Sequence, residues 1–420
     1  MPDKVIQFNT LIFCSILLAI LLLAMQACSE PARNKNNKVT VGAEVLLRDH
    51  LDELKGRNVG LVMNPTARIN GIHMLDTLLS LQVNIQALYA PEHGFRGDRG
   101  AGEHIEDGFD TESGLPVFSL YGQNRKPSPE MLEPVDLILF DMQDVGARFY
   151  TYISTMGLVL EAAAENDVEV WILDRPNPAG GDYVSGWVLE PEYSSFVGAY
   201  PIPVAHGMTL GEIAQMAVGE NWLNINTQIN YRVIPNENLT RDMRWPDTGL
   251  EWVPPSPNLP EYKNALVYLG TCFFEGTTLS EGRGTEDPFL KIGSPTLIVD
   301  TTQLERFEHH YQVQITPIQF MPISIAGVAP EPKFQDTQVH GIEIGLDNYS
   351  EFDPVAFGVE LLRNFLLGDK NSETKKFLYN LAGTKNIDDY LISNTNQSPN
   401  SNWENEVNAF KELRKPYLIY

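Results

Sequence analysis

Residues Val135–Phe140 read V-D-L-I-L-F, an almost uninterrupted apolar run of strand length. A strand with one wet face alternates apolar and polar residues. One this apolar must be covered on both faces, as strands of parallel sheets are when helices pack above and below. The run then stops in Asp141-Met142-Gln143-Asp144-Val145-Gly146-Ala147-Arg148, a polar, glycine-containing exit, before a long helical stretch from Phe149 to Asn166. This single unit already commits the chain to strand–loop–helix architecture.

The unit recurs. Strands are expected at Val59–Met63, Ile85–Tyr89, Leu115–Leu120, Val168–Leu173 and Pro203–Ala205, and helices at Ala43–Lys55, Met74–Leu81 and Leu210–Val218. Thr209 and Glu212 have the spacing of a capping box for the last of these. Repeated alternation of this kind predicts an α/β fold with a doubly wound parallel sheet to about residue 235. The proline-dense stretch Trp245–Pro260 reads as an ordered crossover. Beyond it the pattern is α+β: strands are expected at Ala265–Phe274, Thr296–Val299, Met321–Ala326 and His340–Leu346, and helices at Pro354–Leu367 and Trp403–Leu413. The domains predicted are 39–250 and 251–420.

Residues 1–28 are expected to lie outside that fold. Leu11–Met25 is an apolar run too short to be read as an ordinary membrane span, and it ends in Gln26-Ala27-Cys28. This resembles a bacterial lipoprotein signal with Cys28 as the lipidated residue, followed by a polar tether to Lys38. The expected location is therefore extracytoplasmic, with a lipid anchor in a bacterial membrane facing the periplasm. Cysteine usage fits, since of three cysteines only Cys272 would lie in the folded part, where no internal disulfide can form. Cys272 is expected to be buried and inert. With 55 Asp plus Glu against 30 Lys plus Arg, a net charge of −25, the chain has no electrostatic reason to bind nucleic acid.

Chemistry collects at the strand exits. In a parallel sheet these converge on one edge, where ligands bind. The exit after Tyr89 is the richest: Pro91-Glu92-His93-Gly94-Phe95-Arg96, continuing through Asp98, Arg99, Glu103 and His104 among closely spaced glycines. A charged glycine-rich loop alone is as readily a solvated surface as a site. The exits Asp141–Arg148, Asp174–Asn177 and His206 and the acidic loop Glu275–Thr285 favour a site in a cleft between the domains. No Gly-x-Gly-x-x-Gly follows the first strand, and no Walker loop, Gly-x-Ser-x-Gly or His-Glu-x-x-His occurs. No cofactor or metal is therefore expected. Carboxylates beside aromatics and amides suit glycoside hydrolysis, in which one acid protonates the leaving oxygen and a second group stabilises an oxocarbenium-like transition state.

Seven motifs together are more specific. Pro91–Gly97, Asp141–Tyr152, Leu173–Pro178, His206–Thr209, Pro254–Asn258, Phe274–Thr285 and the closing Arg414–Tyr420 resemble the DUF1343 family, whose characterised members are exo-β-N-acetylmuramidases of the NamZ type. The likeness runs from about Val39 to Tyr420. It implies a Rossmann-like domain, a smaller C-terminal domain, and removal of terminal N-acetylmuramic acid from the non-reducing end of peptidoglycan fragments. It assigns the catalytic carboxylate to Glu92. For the second group Glu275 is favoured, then Asp144, unless the sugar's own acetamido group attacks. The lactyl carboxylate of muramic acid calls for a cation, with Arg148 and Arg283 as candidates and Arg96 nearby. Gln143, Asn177 and Asn258 are candidates for hydroxyls and acetamide, Tyr150 for substrate binding, and His93 and His206 for assisting proton transfer or orienting Glu92. The alternative is a lipid-anchored binding protein that captures amino-sugar fragments without cleaving them.

Overall fold

The computed structural model describes residues 38–96, 107–122, 124–393 and 398–420. Asp98, Arg99, Glu103, His104, the apolar leader and Cys28 lie outside the described residues. The part of the chain from Val39 to Tyr420 is built around a seven-stranded sheet in the order Tyr231–Ile234, Glu169–Leu173, Leu137–Asp141, Val59–Met63, Ile85–Ala90, Pro116–Ser119 and Gly108–Phe109. All pairings are parallel except the last, at the edge.

The apolar run that predicted a doubly covered strand behaves so residue by residue. Leu137 and Leu139 pack into one core with Leu61, Leu88 and Trp171, whereas Ile138 and Phe140 pack into a second with Val62, Tyr89 and Val170. Alternate side chains point to opposite faces of a strand, so an apolar residue at every position is what two cores require. The first core is closed by the helix Met74–Ser80 and by short helical turns between Gly42 and Leu54. The second carries the helices Tyr152–Glu165 and Leu210–Gly219 and continues without a break into the C-terminal half, reaching Phe273, Ile292, Ile342 and Phe357. Thr209 caps its helix with a complete capping box, the Glu212 carboxylate accepting from the Thr209 N–H. These elements sit within a few residues of their predicted bounds, but Pro203–Ala205 does not join the parallel sheet: it pairs antiparallel with Ser185–Val188 in a separate two-stranded sheet, so His206 does not follow a strand of the main sheet.

The C-terminal half is a smaller α+β layer: a three-stranded antiparallel sheet, Lys291–Ser294, Val339–Gly345 and Gln314–Phe320 in that order, with helices at Tyr262–Thr271, Thr301–Tyr311, Pro354–Gly368 and Glu404–Leu413. Three expected strands are corrected here. Ala265–Phe274 is helical to Thr271 and then a short 3-10 turn. Nearly every residue of that helix is buried, including Tyr262, Asn264 and Thr271, so it shows no polar stripe and reads from sequence like a buried strand. The strand expected at Thr296–Val299 lies just upstream at Lys291–Ser294, and that at Met321–Ala326 lies at Gln314–Phe320. The latter carries Pro317 within a mixed polar sequence, which an edge strand tolerates and a central one does not.

The helix Tyr262–Thr271 crosses the helix Pro354–Gly368 at two glycines. A Cβ on Gly270 would lie 1.8 Å from the Pro354 carbonyl oxygen, and one on Gly358 would lie 2.2 Å from the Gly270 carbonyl carbon. This close approach seats the helix that delivers Tyr268, Cys272 and Glu275 to the site.

Candidate active site

The strand exits open onto a cavity of about 610 Å³. The sheet domain lines it with Glu92, His93, Tyr121, Arg125, Phe149, Tyr150 and Thr151, and later segments add Tyr268, Cys272, Glu275, Arg283 and the stretch Val328–Pro332.

Glu92 occupies a tight turn at the end of the strand Ile85–Ala90, where the Gly94 N–H donates to the Pro91 carbonyl at 3.1 Å. His93 takes φ 74° and Gly94 φ 84°. A left-handed residue that is not glycine is strained by about 1–3 kcal/mol and persists only where its surroundings impose it. The turn thus fixes where the Glu92 side chain starts. Its far end is held by Thr151, whose hydroxyl donates to Oε2 at 2.9 Å. Tyr152, the next residue, ties three loops together. Its hydroxyl accepts from Asn64 Nδ2 at 2.7 Å, donates to the Pro255 carbonyl at 2.9 Å and lies 3.4 Å from the Glu92 carbonyl. Tyr121 shares this wall, its phenol pushed up by burial and then by the charge of Glu92.

In the part of the lining supplied by later segments, Arg283 donates twice to Glu275 Oε1, at 2.9 Å from Nε and 2.6 Å from Nη2, and its guanidinium lies 5.0 Å from the Phe289 ring centroid. Glu281 is 3.9 Å from Arg283 Nε, and Lys333 pairs with the other Glu281 oxygen at 2.8 Å while donating to the Phe274 and Leu279 carbonyls. Burial pushes the Arg283 guanidinium down, but the two neighbouring carboxylates outweigh it and the net direction is up. The Cys272 thiol, 3.9 Å from Glu275 Oε2, is pushed well up by burial, so it is a poor nucleophile there.

Of the residues singled out from sequence, Glu92, His93, Tyr150, Glu275 and Arg283 line the cavity. Tyr150 is edge-on to both Tyr152 and Tyr268. The others stand behind the wall. Arg148 is fully buried, donating to the carbonyls of Trp187, Ile202 and Leu381, and burial pushes its guanidinium down to about 9. Arg96 is bidentate to Asp110, holding that carboxyl well below the usual range, and also reaches Asp76. Asp144 accepts from the Gly146 N–H at 2.7 Å and lies 3.7 Å from His206 Nε2. Gln143 donates to the Asp144 and Pro176 carbonyls, Asn177 to that of Met208, and Asn258 to that of Val328. His206 Nδ1 accepts from the Met208 N–H. These side chains brace the exit loops against one another, and Asn258 pins the Val328–Pro332 wall. Among the described residues no group of three or more His, Cys, Asp or Glu is placed to hold a metal ion.

Sequence reasoning missed Tyr121, Thr151, Arg125, Phe196 and Tyr268. Thr151 lies inside a quoted motif, but nothing in spacing separates a hydroxyl that bonds Glu92 from one that caps the following helix.

Comparison with known proteins agrees with this architecture. Two family models, described as the N-terminal and C-terminal parts of exo-beta-N-acetylmuramidase NamZ, match residues 59–263 and 266–420. The chain is 38% identical over 394 residues to the peptidoglycan beta-N-acetylmuramidase NamZ of Bacillus subtilis (strain 168), with 92% of each protein covered. Crystal structures of two DUF1343 family proteins from Bacteroides fragilis NCTC 9343 superpose with TM-score 0.77 at 34% and 31% identity, covering 91% of this chain and 99% of theirs.

Proposed function

Because the chain belongs to the exo-β-N-acetylmuramidase NamZ family, we propose that it releases terminal β-linked N-acetylmuramic acid from the non-reducing end of peptidoglycan fragments by acid/base catalysis at Glu92. The observation that carries this reading is the placement of Glu92. A backbone turn and the Thr151 hydroxyl hold its carboxyl at the wall of a cavity of about 610 Å³, a size that suits a sugar ring and its substituents.

In this reading Glu92 protonates the glycosidic oxygen as the bond to the anomeric carbon breaks, and one water supplies the hydroxyl that this carbon gains and the proton that restores Glu92. Glu275, paired to Arg283 in the same cavity, stabilises the positive charge that develops on the sugar. Asp144, behind the wall, acts through the loop it braces. The aromatic lining of Phe149, Tyr150, Tyr268 and Phe289 offers apolar faces to the ring and limits water. We place the enzyme outside the cytoplasm, anchored through a lipid on Cys28. Among the described residues no helix is long and apolar enough to cross a membrane.

Incubation of wild type and Glu92→Gln with a chromogenic β-N-acetylmuraminide tests the assignment. Loss of a positioned proton donor is worth about 10²- to 10⁴-fold in rate. Tight binding by wild type without turnover would replace the enzyme with a binding protein. Undiminished turnover in Glu92→Gln would remove Glu92 from its role.

A further inference from the structure

The substrate class proposed above differs from the other amino sugar of the same polymer in one group, a lactyl ether ending in a carboxylate. An anion entering this cavity meets Glu92, Glu275 and Glu331 on its walls, in a chain of net charge −25. Something must offset that repulsion. The arginines suggested by sequence are already engaged: Arg283 by Glu275 and Glu281, Arg96 by Asp110, and Arg148 by three carbonyls in the core.

One lining arginine differs. Arg125 follows the strand Pro116–Ser119, and its guanidinium lies 4.3 Å from the centroid of the Phe196 ring. Among the described residues it has no carboxylate partner, and its side chain is exposed at the cavity mouth. Stacking a planar guanidinium on an aromatic face leaves its edge N–H groups pointing outward and limits the rotamers lost when an anion binds. The stack therefore presents a preorganised cation that no described carboxylate pairs with, where the other lining cation is neutralised.

We propose that Arg125, backed by Phe196, binds the carboxylate of the terminal sugar and so sets preference for the acidic over the neutral amino sugar. The proposal rests on the muramidase reading. Binding by Arg125 accounts for selectivity without asking Arg283 to release Glu275.

The test compares a chromogenic β-N-acetylmuraminide with its lactyl methyl ester, which keeps the shape and loses the charge. Wild type should favour the acid. Arg125→Met should lower the acid-to-ester ratio of kcat/KM at least tenfold, the loss appearing in KM for the acid, and Arg125→Lys should retain part of the preference. Raising salt should narrow the ratio in wild type and leave it flat in Arg125→Met. An unchanged ratio in Arg125→Met, or equal losses on both substrates, overturns the assignment. If wild type turns over neither substrate, the muramidase reading itself fails and this assignment goes with it.

Discussion

Asp174 ends the strand Glu169–Leu173 and is completely buried. Its carboxyl accepts from the Thr209 hydroxyl at 2.6 Å, the Gly211 N–H at 2.9 Å and the Tyr420 hydroxyl at 2.7 Å, and among the described residues it forms no ion pair with a cation. Burial pushes it up from 3.8 to about 6 against these bonds. Below pH 3.8 the group is neutral in both folded and unfolded chains and contributes nothing to pH dependence. Between 3.8 and about 6 only the unfolded chain ionises it, so stability falls as pH rises. Above 6 both states are ionised and the loss is complete. At about 1.4 kcal/mol per pH unit of separation, the loss amounts to roughly 3 kcal/mol. Asp174→Asn is nearly isosteric, can keep the Gly211 bond, and cannot ionise. Denaturant unfolding of both proteins at pH 4, 5, 6 and 7.5 should therefore show the variant gaining on wild type by roughly 2.5 kcal/mol across that range, levelling off above pH 6. A difference that stays constant with pH would refute the argument that Asp174 is ionised at burial's expense. One that moved in favour of wild type would mean the three donors outweigh burial.

Two further substitutions probe the platform beneath the cavity. Gly270→Ala places a methyl 1.8 Å from a backbone oxygen, so the helices must part; it should cost about 3 kcal/mol or more in thermal or denaturant unfolding and lower activity beyond what stability explains. Stability within 0.5 kcal/mol of wild type would show that the crossing relaxes easily. Lys333→Met strips the cation from the buried Glu281 and the donors from two carbonyls, and should destabilise the protein by about 2 kcal/mol in denaturant unfolding. Stability within about 0.5 kcal/mol of wild type would show that Lys333 is not needed to hold Glu281 there.

What could be read from the sequence follows from how local each signal is. Val59–Met63 and Leu137–Asp141 were visible because two-sided burial removes polar residues from a short run, and the Thr209 cap because its partner is three residues away. The loop that carries Glu92 is advertised by its glycines and proline, but it was the family resemblance that singled Glu92 out among the charged residues there. The direction of a loop side chain is not local. Arg148 and Arg96 look alike from sequence to a substrate-binding arginine, yet one serves carbonyls from the chain around Trp187, Ile202 and Leu381 and the other a carboxylate fourteen residues on. Arg125 and Phe196 lie outside every motif, 71 positions apart, and only the fold stacks them. The helix Tyr262–Thr271 was hidden for another reason: burial on all sides erases the periodicity by which helices are recognised.

The meeting of Gly270 with Gly358 bears on how such a cavity can change over generations. Where two side chains press together, a larger one can be accepted if its neighbour shrinks, and cores drift by such paired exchanges. Here the opposing atoms are a carbonyl and an alpha carbon, and neither partner has anything left to give up. No second substitution can rescue a first. Lineages with new substrate preferences would therefore be expected to keep this crossing and to vary the walls that hang free of it, at Phe196–Val197 and Val328–Pro332. Libraries aimed at new specificity can be built the same way, with the helix pair left alone.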